Sequence, residues 1–207
     1  AQVGEDVGAR TMQKYMDRLG FNRPVAVDLP DSERRPSGEY CKGRFVRATN
    51  PCVDVGRMAI GQDKLQVTPL QMAQVAASVA NRGRLMRPFI ATRAIDPDGR
   101  TTVDNQPEQF SDVMSTSTAA KVTAMMTRVV QEGTGTAAAL QGIDVAGKTG
   151  TAERDVAANI TQPWFIAFAP VENPRVAIAV TIERTVGGFG GTDAAPIAKA
   201  VMESLLR

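Results

Sequence analysis

Apolar positions fall into a helical rhythm over much of the first two-thirds of the chain and into a strand rhythm after residue 143. The clearest helix runs from Ser117 through Glu132. Val122, Met125, Met126, Val129 and Val130 recur there at the i, i+3, i+4, i+7, i+8 spacing of one face, and Gly133 supplies a stop. A second helix begins at Thr68, a good N-cap, with Pro69 in the first helical position. Leu70, Ala73, Ala76, Ala77 and Ala80 form a small-residue face before Gly83. At the start, Val3, Val7 and Leu19, with Tyr15 near the same face, predict an amphipathic helix ending at Gly20. No Ser, Thr, Asp or Asn precedes it as a cap, so the chain is expected to begin in mid-element.

Residues 21–56 lack a period. Pro24, Pro30, Pro36 and Pro51 punctuate them, and they read as an irregular surface excursion near a cleft. Phe89-Ile90-Ala91 and Thr101-Thr102-Val103 flank the turn Asp96-Pro97-Asp98-Gly99, which predicts a small hairpin. Three strands are expected between residues 143 and 183: Ile143–Thr151, Trp164–Ala169 and Val176–Glu183. The turn Glu172-Asn173-Pro174-Arg175 makes the last two antiparallel. A flexible glycine-rich connection, Gly187 to Gly191, leads to a final helix over 192–207. Thr192 or Asp193 is its cap, and Ile197, Val201 and Leu205 lie on one side to cover the strands. The fold class is therefore α/β of the α+β kind, an antiparallel sheet flanked by helices, with residues 1–207 forming part of one domain.

Composition narrows the chemistry. The 207 residues are 43% apolar and 22% charged, with 24 basic and 22 acidic side chains well interspersed. No like-charge block and few aromatics are present, so a nucleic-acid partner is not supported. No stretch approaches the roughly 20 apolar residues of a membrane helix, and the first residues do not form a signal peptide. Histidine is absent, which removes any Ser-His-Asp mechanism, and with only two cysteines a metal site is not expected. Cys41 and Cys52 are spaced for a small disulfide loop, and two free thiols fit the same spacing equally well.

The chemistry concentrates at Gly147-Lys148-Thr149-Gly150-Thr151. Gly142 through Thr149 also fits the Gly-x-x-x-x-Gly-Lys-Thr phosphate loop. That motif needs a strand before it and a helix at the lysine, whereas Ile143-Asp144-Val145 alternates like a strand and Gly150-Thr151-Ala152 is a poor helix start. On a strand, Lys148 and Gly150 fall on one side, and Thr149 and Thr151 on the other. Two hydroxyls beside an ammonium make a receptor for a carboxylate, and Gly150 clears room for another backbone. A solvated lysine between β-favouring threonines is the bland alternative.

The surroundings decide between them. Glu132-Gly133-Thr134-Gly135-Thr136-Ala137-Ala138 followed by Val145 through Glu153 resembles the penicillin-binding proteins over the closing half of their transpeptidase domain. Gly61-Gln62, Val67-Thr68-Pro69-Leu70-Gln71-Met72-Ala73, Ala80-Asn81-Arg82-Gly83 with Pro88, and Trp164 through Pro170 resemble that family in the same order. The texture is similar to the monofunctional class B members, of the actinobacterial A type.

The resemblance implies a penicillin-binding/serine β-lactamase-like fold, incomplete at its N-terminal side. It implies a peptidoglycan D,D-transpeptidase that cross-links the cell wall and is a β-lactam target. Of the three family motifs only Lys-Thr-Gly is here; Ser-x-x-Lys and Ser-x-Asn do not occur, and Ser78-Val79-Ala80-Asn81 has one residue too many. An upstream segment is expected to carry them, which leaves this stretch alone inactive. Thr149 and Thr151 would bind the leaving residue's carboxylate with Gly150 beside them, and Lys148 would keep the region positive and orient the Ser-x-Asn serine. The Thr151 N–H would be one of two oxyanion donors. Expected partners are donor and acceptor stem peptides, β-lactams and cell-division proteins, with no cofactor. The expected location is the extracytoplasmic face of the bacterial membrane, anchored by another segment. The rivals are a β-lactam sensor or serine β-lactamase, and a non-catalytic interaction module.

Overall fold

The computed structural model describes residues 1–207. Its centre is an antiparallel sheet of β8 (Ala146–Asp155), β9 (Ile160–Ala169) and β10 (Val176–Thr181), in the order β10–β9–β8. The short β11 (Thr185–Val186) continues the β10 side of β9. Pro163 sits opposite the gap between β10 and β11. It has no N–H to donate, so strand pairing on that side is interrupted there.

Alternation along β9 explains why its sequence is almost continuously apolar. Phe165, Ala167 and Ala169 face a core built with Val130, Ala138, Val145, Ala198 and Met202. Phe168 faces the other way and packs with Ala146, Val79 and Met126. Both faces are thus covered at that end of the sheet, by α6 (Ala195–Leu206) on one side and by α4 (Pro69–Ala80) and α5 (Thr116–Gln131) on the other. Farther along β8, at Lys148 and Gly150, the second face is left open.

Caps behave as their residue types dictate. Thr68 Oγ1 accepts from Gln71 N at 3.1 Å and Ser115 Oγ from Thr118 N at 3.1 Å, so α5 begins one residue before the expected start. The buried faces differ from the apolar stripes. In α4 the buried residues are Gln71, Ala76, Ser78 and Val79 while Leu70 is exposed, because Gln71 Nε2 reaches the C-terminal carbonyl of a neighbouring helix, Leu19 O, at 2.8 Å. In α6 it is Ala195, Ala198 and Met202 that pack on the sheet, and Ile197, Val201 and Leu205 are exposed. The close approach of helix to strand favours alanine over branched residues at that seam.

The opening helix is two helices, α1 (Gln2–Val7) and α2 (Ala9–Arg18), broken at Gly8 with φ 78°. Val3, Val7 and Tyr15 are exposed; Met16 is buried with Met12 and Leu19 beside it. Gln13 is buried as well because its Oε1 accepts from Ala48 N at 2.7 Å. A polar residue on the inner face hid the true stripe.

Within 21–56 the chain is not wholly irregular. β1 (Gly38–Cys41) and β2 (Arg44–Val46) form a hairpin, β3 (Leu65–Gln66) adds to β1, and Cys41–Cys52 is a disulfide. The short α3 (Val55–Ala59) follows, capped by Asp54. The expected small hairpin is present, with its first strand β5 (Arg93–Ile95) rather than Phe89–Ala91, paired to β6 (Thr101–Asp104). β4 (Arg84–Met86) and β7 (Gln109–Asp112) pair beside it.

Glu39 on β1 is fully buried, and neither carboxyl oxygen has a partner. Burial, reinforced by nearby Asp63 and partly offset by Lys64, pushes its pKa up to about 7 from 4.5. A raised folded-state pKa means the folded form holds its proton more tightly. The associated stability is complete below pH 4.5 and is lost as pH rises through 7. Wild-type protein is expected to lose up to about 3 kcal/mol across this window, and Glu39→Gln to flatten the dependence. Thermal midpoints measured from pH 4.5 to 8 check this, and parallel curves for the two proteins would refute it.

Candidate active site

β8 is the edge strand of the sheet, and its free edge carries the candidate chemistry. In the antiparallel register Thr149 opposes Phe165, Gly150 opposes Trp164 and Thr151 opposes Pro163. Pro163 offers no N–H, and its carbonyl accepts from Ile182 N at 3.1 Å, away from β8. The Thr151–Pro163 pair is therefore one in which both residues turn their backbone groups outward. Thr151 O confirms this by accepting from the Gln62 side chain, off the sheet, at 3.2 Å. N–H and C=O of one strand residue share an edge, so the Thr151 N–H, and by alternation the Thr149 N–H, faces the free edge.

Side chains straddle that edge. Lys148 and Gly150 lie on the open face with Trp164 and Ile166, and Lys148 Nζ donates to the outward Thr149 O at 2.8 Å. Thr149 and Thr151 lie on the opposite face. Thr149 Oγ1 bonds Thr134 Oγ1 at 2.7 Å, and Thr151 Oγ1 accepts from Gly190 N at 3.2 Å. The expected alternation is thus observed, and Gly150 sits where a side chain would crowd Trp164 Cβ at 3.2 Å.

The glycine-rich segment is less free than its composition suggests. It forms a wide helical turn, Gly190–Ala194, laid on β8 and β9. Asp193 does not cap α6. Its carboxylate accepts from Thr192 Oγ1 at 2.6 Å and Phe189 N at 2.9 Å, which hold its pKa below the usual value and close the turn.

Lys148, Thr149, Thr151 and Trp164, together with Gln62, line a cleft of about 750 Å³. A larger hollow of about 1220 Å³ lies between α4, α5 and β10, lined by alanines such as Ala77 and Ala120 and by arginines including Arg82, Arg87, Arg128 and Arg175, and none of the Lys148 group reaches it. Volume is a poor guide here; the convergence of an ammonium, hydroxyls and unpaired N–H groups is a better one. Three residues that contact the Thr149–Thr151 strand carry no role in the sequence reading: Gln62 in the cleft, and Thr134 and Gly190 behind it. The only signal for them was position within the quoted Gly133-Thr134-Gly135, Gly61-Gln62 and glycine-rich stretches.

No helix follows Lys148: β8 runs unbroken from Ala146 through Asp155, which excludes the phosphate-loop geometry. What the edge can do is accept an extended ligand as an added strand and place a carboxylate beside Lys148 and the threonines.

Comparison with known proteins agrees with this geometry. The chain is 40% identical over its full length to peptidoglycan D,D-transpeptidase PbpA of Mycolicibacterium smegmatis, and spans 41% of that protein. It is 33% identical to stage V sporulation protein D of Bacillus subtilis over 99% of its length, spanning 32% of that relative. Among solved structures, penicillin-binding protein A of Mycobacterium tuberculosis as a ceftriaxone acyl-enzyme superposes with a TM-score of 0.84. Identity is 30%, and the match covers 100% of this chain and 45% of that one. The imipenem acyl-enzyme of the same protein gives 0.80 at 31% identity, covering 100% and 44%. The profile of the penicillin-binding protein transpeptidase domain matches residues 1–203, and with the strand-borne Lys-Thr-Gly at the sheet's free edge the chain belongs to that family.

Proposed function

We propose that the protein containing this chain is a peptidoglycan D,D-transpeptidase and β-lactam target. Residues 1–207 would be the C-terminal portion of its transpeptidase domain and supply the Lys-Thr-Gly wall of the site. The observation that carries this reading is the outward Thr151 N–H on an unpaired strand edge, with Lys148 and two threonines beside it.

In that reading a serine on a segment outside this chain attacks the carbonyl of a terminal D-alanyl-D-alanine. The nucleophile's own N–H and that of Thr151 hold the developing oxyanion, and loss of one such donor costs about 3 kcal/mol of barrier. Thr149 and Thr151 bind the carboxylate of the departing D-alanine, with Thr134 fixing the Thr149 rotor. Lys148 supplies positive charge and faces the proton-transfer serine. The C–N bond breaks, D-alanine leaves with the proton on its amine, and a stem-peptide amine then takes the acyl group. The disulfide and the absence of a histidine base suit a lysine-activated serine working on the outer side of the bacterial membrane, where cell-division proteins would be its neighbours.

Incubation of the complete protein with penicillin, read by intact mass, tests the reading. A stable adduct on a single serine, with D-alanine release from a stem-peptide analogue, is expected. Rapid loss of the adduct as hydrolysed drug would make the protein a β-lactamase, and no adduct at all would leave an interaction module.

A further inference from the structure

We propose that Gln62 is a positioning residue for the Thr151 peptide, acting as a one-residue strand on the free edge of β8; this rests on the assignment of that edge to the acyl-donor groove. The Gln62 carboxamide offers a donor and an acceptor at the spacing of a peptide unit. It uses both: Nε2 donates to Thr151 O and Oε1 accepts from Glu153 N, each at 3.2 Å. These are the outward groups that a neighbouring strand would pair, and the two bonds together fix which way the amide is turned. The contact joins parts of the chain about 90 residues apart, so no local preference creates it.

The backbone around Gln62 is built to hold it there. At the end of α3, Gly61 N donates to Met58 O at 2.9 Å and Gln62 N to Arg57 O at 3.0 Å. Gly61 is in the left-handed region at φ 75°, which makes this a closed helix terminus with Gln62 as its last anchored residue. Asp63 follows at φ 66°, a conformation that costs a non-glycine residue energy and persists only where the surroundings hold it. Lys64 then ties the loop to the disulfide hairpin: its carbonyl accepts from Tyr40 N at 3.2 Å, and its Nζ donates to Cys52 O at 3.0 Å. Gln62 is thus half-buried, flanked by two left-handed residues, and aimed at the sheet edge.

Two effects follow for the site. Fixing Thr151 O and Glu153 N sets the tilt of the two peptides that flank Ala152; the first of them starts at Thr151, so it limits rotation about the Thr151 Cα and through it steadies the preceding peptide, which carries the Thr151 N–H. It also closes the edge beyond that N–H, so an extended ligand can pair with Thr149 and the Thr151 N–H but not run on to Glu153. The mechanism as proposed uses neither effect explicitly, yet an oxyanion donor works only if it is held in place before charge develops.

The test uses the complete protein with Gln62→Met, which keeps length and loses both hydrogen bonds, and Gln62→Glu, which keeps an acceptor for Glu153 N–H and loses the donor to Thr151 O. A fluorescent penicillin separates non-covalent binding from the acylation rate constant, and amide hydrogen exchange reads the Glu153 N–H directly. Both variants are expected to acylate about tenfold more slowly, with non-covalent affinity within about twofold and thermal midpoints within about 2 °C of the parent. Glu153 protection should fall about tenfold in Gln62→Met and survive in Gln62→Glu. An unprotected Glu153 amide in the parent, unchanged or faster acylation in both variants, or a loss that merely follows the thermal midpoint overturns the proposal. A parent that penicillin does not label overturns the functional reading itself, whereas a labelled parent with indifferent variants overturns only the role of Gln62.

Discussion

Lys148→Ala in the complete protein is expected to slow acylation by a fluorescent penicillin by about three orders of magnitude while leaving the fold intact. The cause is electrostatic. An ammonium and a carboxylate about 4 Å apart near a protein surface attract by about 4 kcal/mol at an effective dielectric of 20. Each 1.36 kcal/mol lost from the transition state is a factor of ten in rate, so about a thousandfold follows. Lys148 is exposed on the open face of β8, and its one hydrogen bond runs to the adjacent Thr149 O. Its removal should therefore cost less than about 0.5 kcal/mol of stability. Lys148→Arg keeps the charge but spreads it over a wide planar group unsuited to a compact site, and about a tenfold loss is expected. Stopped-flow labelling with a parallel thermal scan distinguishes these outcomes. Near-parental acylation of Lys148→Ala would remove Lys148 from the chemistry.

Lys148 can act on a bound carboxylate in this way only from a strand edge, and that placement was legible in the sequence. Thr149 and Thr151 favour a strand, Gly150 weakens any helix, and the run Trp164 through Ala169 supplied a central partner. The strand limits were less legible: β8 starts at Ala146, not Ile143, because Leu140 and Ile143 bridge each other in the preceding turn. Apolar stripes misreport the inner helix face wherever a polar side chain points inward. Gln13 and Gln71 look like surface residues, yet each is buried by a hydrogen bond to a backbone group far away in sequence. At α6 the apolar stripe pointed to Ile197, Val201 and Leu205, and close packing on the sheet selected alanines instead. Long-range contacts bring in Thr134 and Gln62, which no pattern in the sequence marks. Thr134 meets Thr149 across 15 residues, and Gln62 meets Thr151 across 89. No periodicity reports such pairings, whereas the resemblance of Gly61-Gln62 and Gly133-Thr134-Gly135 to family segments marked the right neighbourhoods without saying what they touch.

Gly190 shows how tightly the site is supported from behind, and Gly190→Ala is expected to be among the most damaging single changes. A Cβ at this position would run into the carbonyls of both Trp164 and Gly150 and lie 2.9 Å from the Gly150 amide. All three are backbone atoms of paired strands, so no flexible side chain can swing away to relieve the overlap. The wide turn would have to lift from β8 and β9. Thr151 Oγ1 would then lose its bond from Gly190 N, and Thr161 Oγ1, which donates to Gly188 O at 2.7 Å, would be strained with it. Overpacking costs about 1–3 kcal/mol where side chains can adjust; against fixed backbone the upper end or slightly more, about 3–4 kcal/mol, is expected. For a domain of this size that lowers the thermal midpoint by about 10 °C. Penicillin acylation should fall too, because the same movement frees the Thr151 hydroxyl and rotates the edge that carries its N–H. Phe189→Ala is the control: that ring is 60% exposed one residue earlier, and its removal should shift stability by less than about 0.5 kcal/mol. A Gly190→Ala protein that melts and acylates like its parent would mean that the turn does not rest on the strands as described, and the support assigned to Thr151 would go with it.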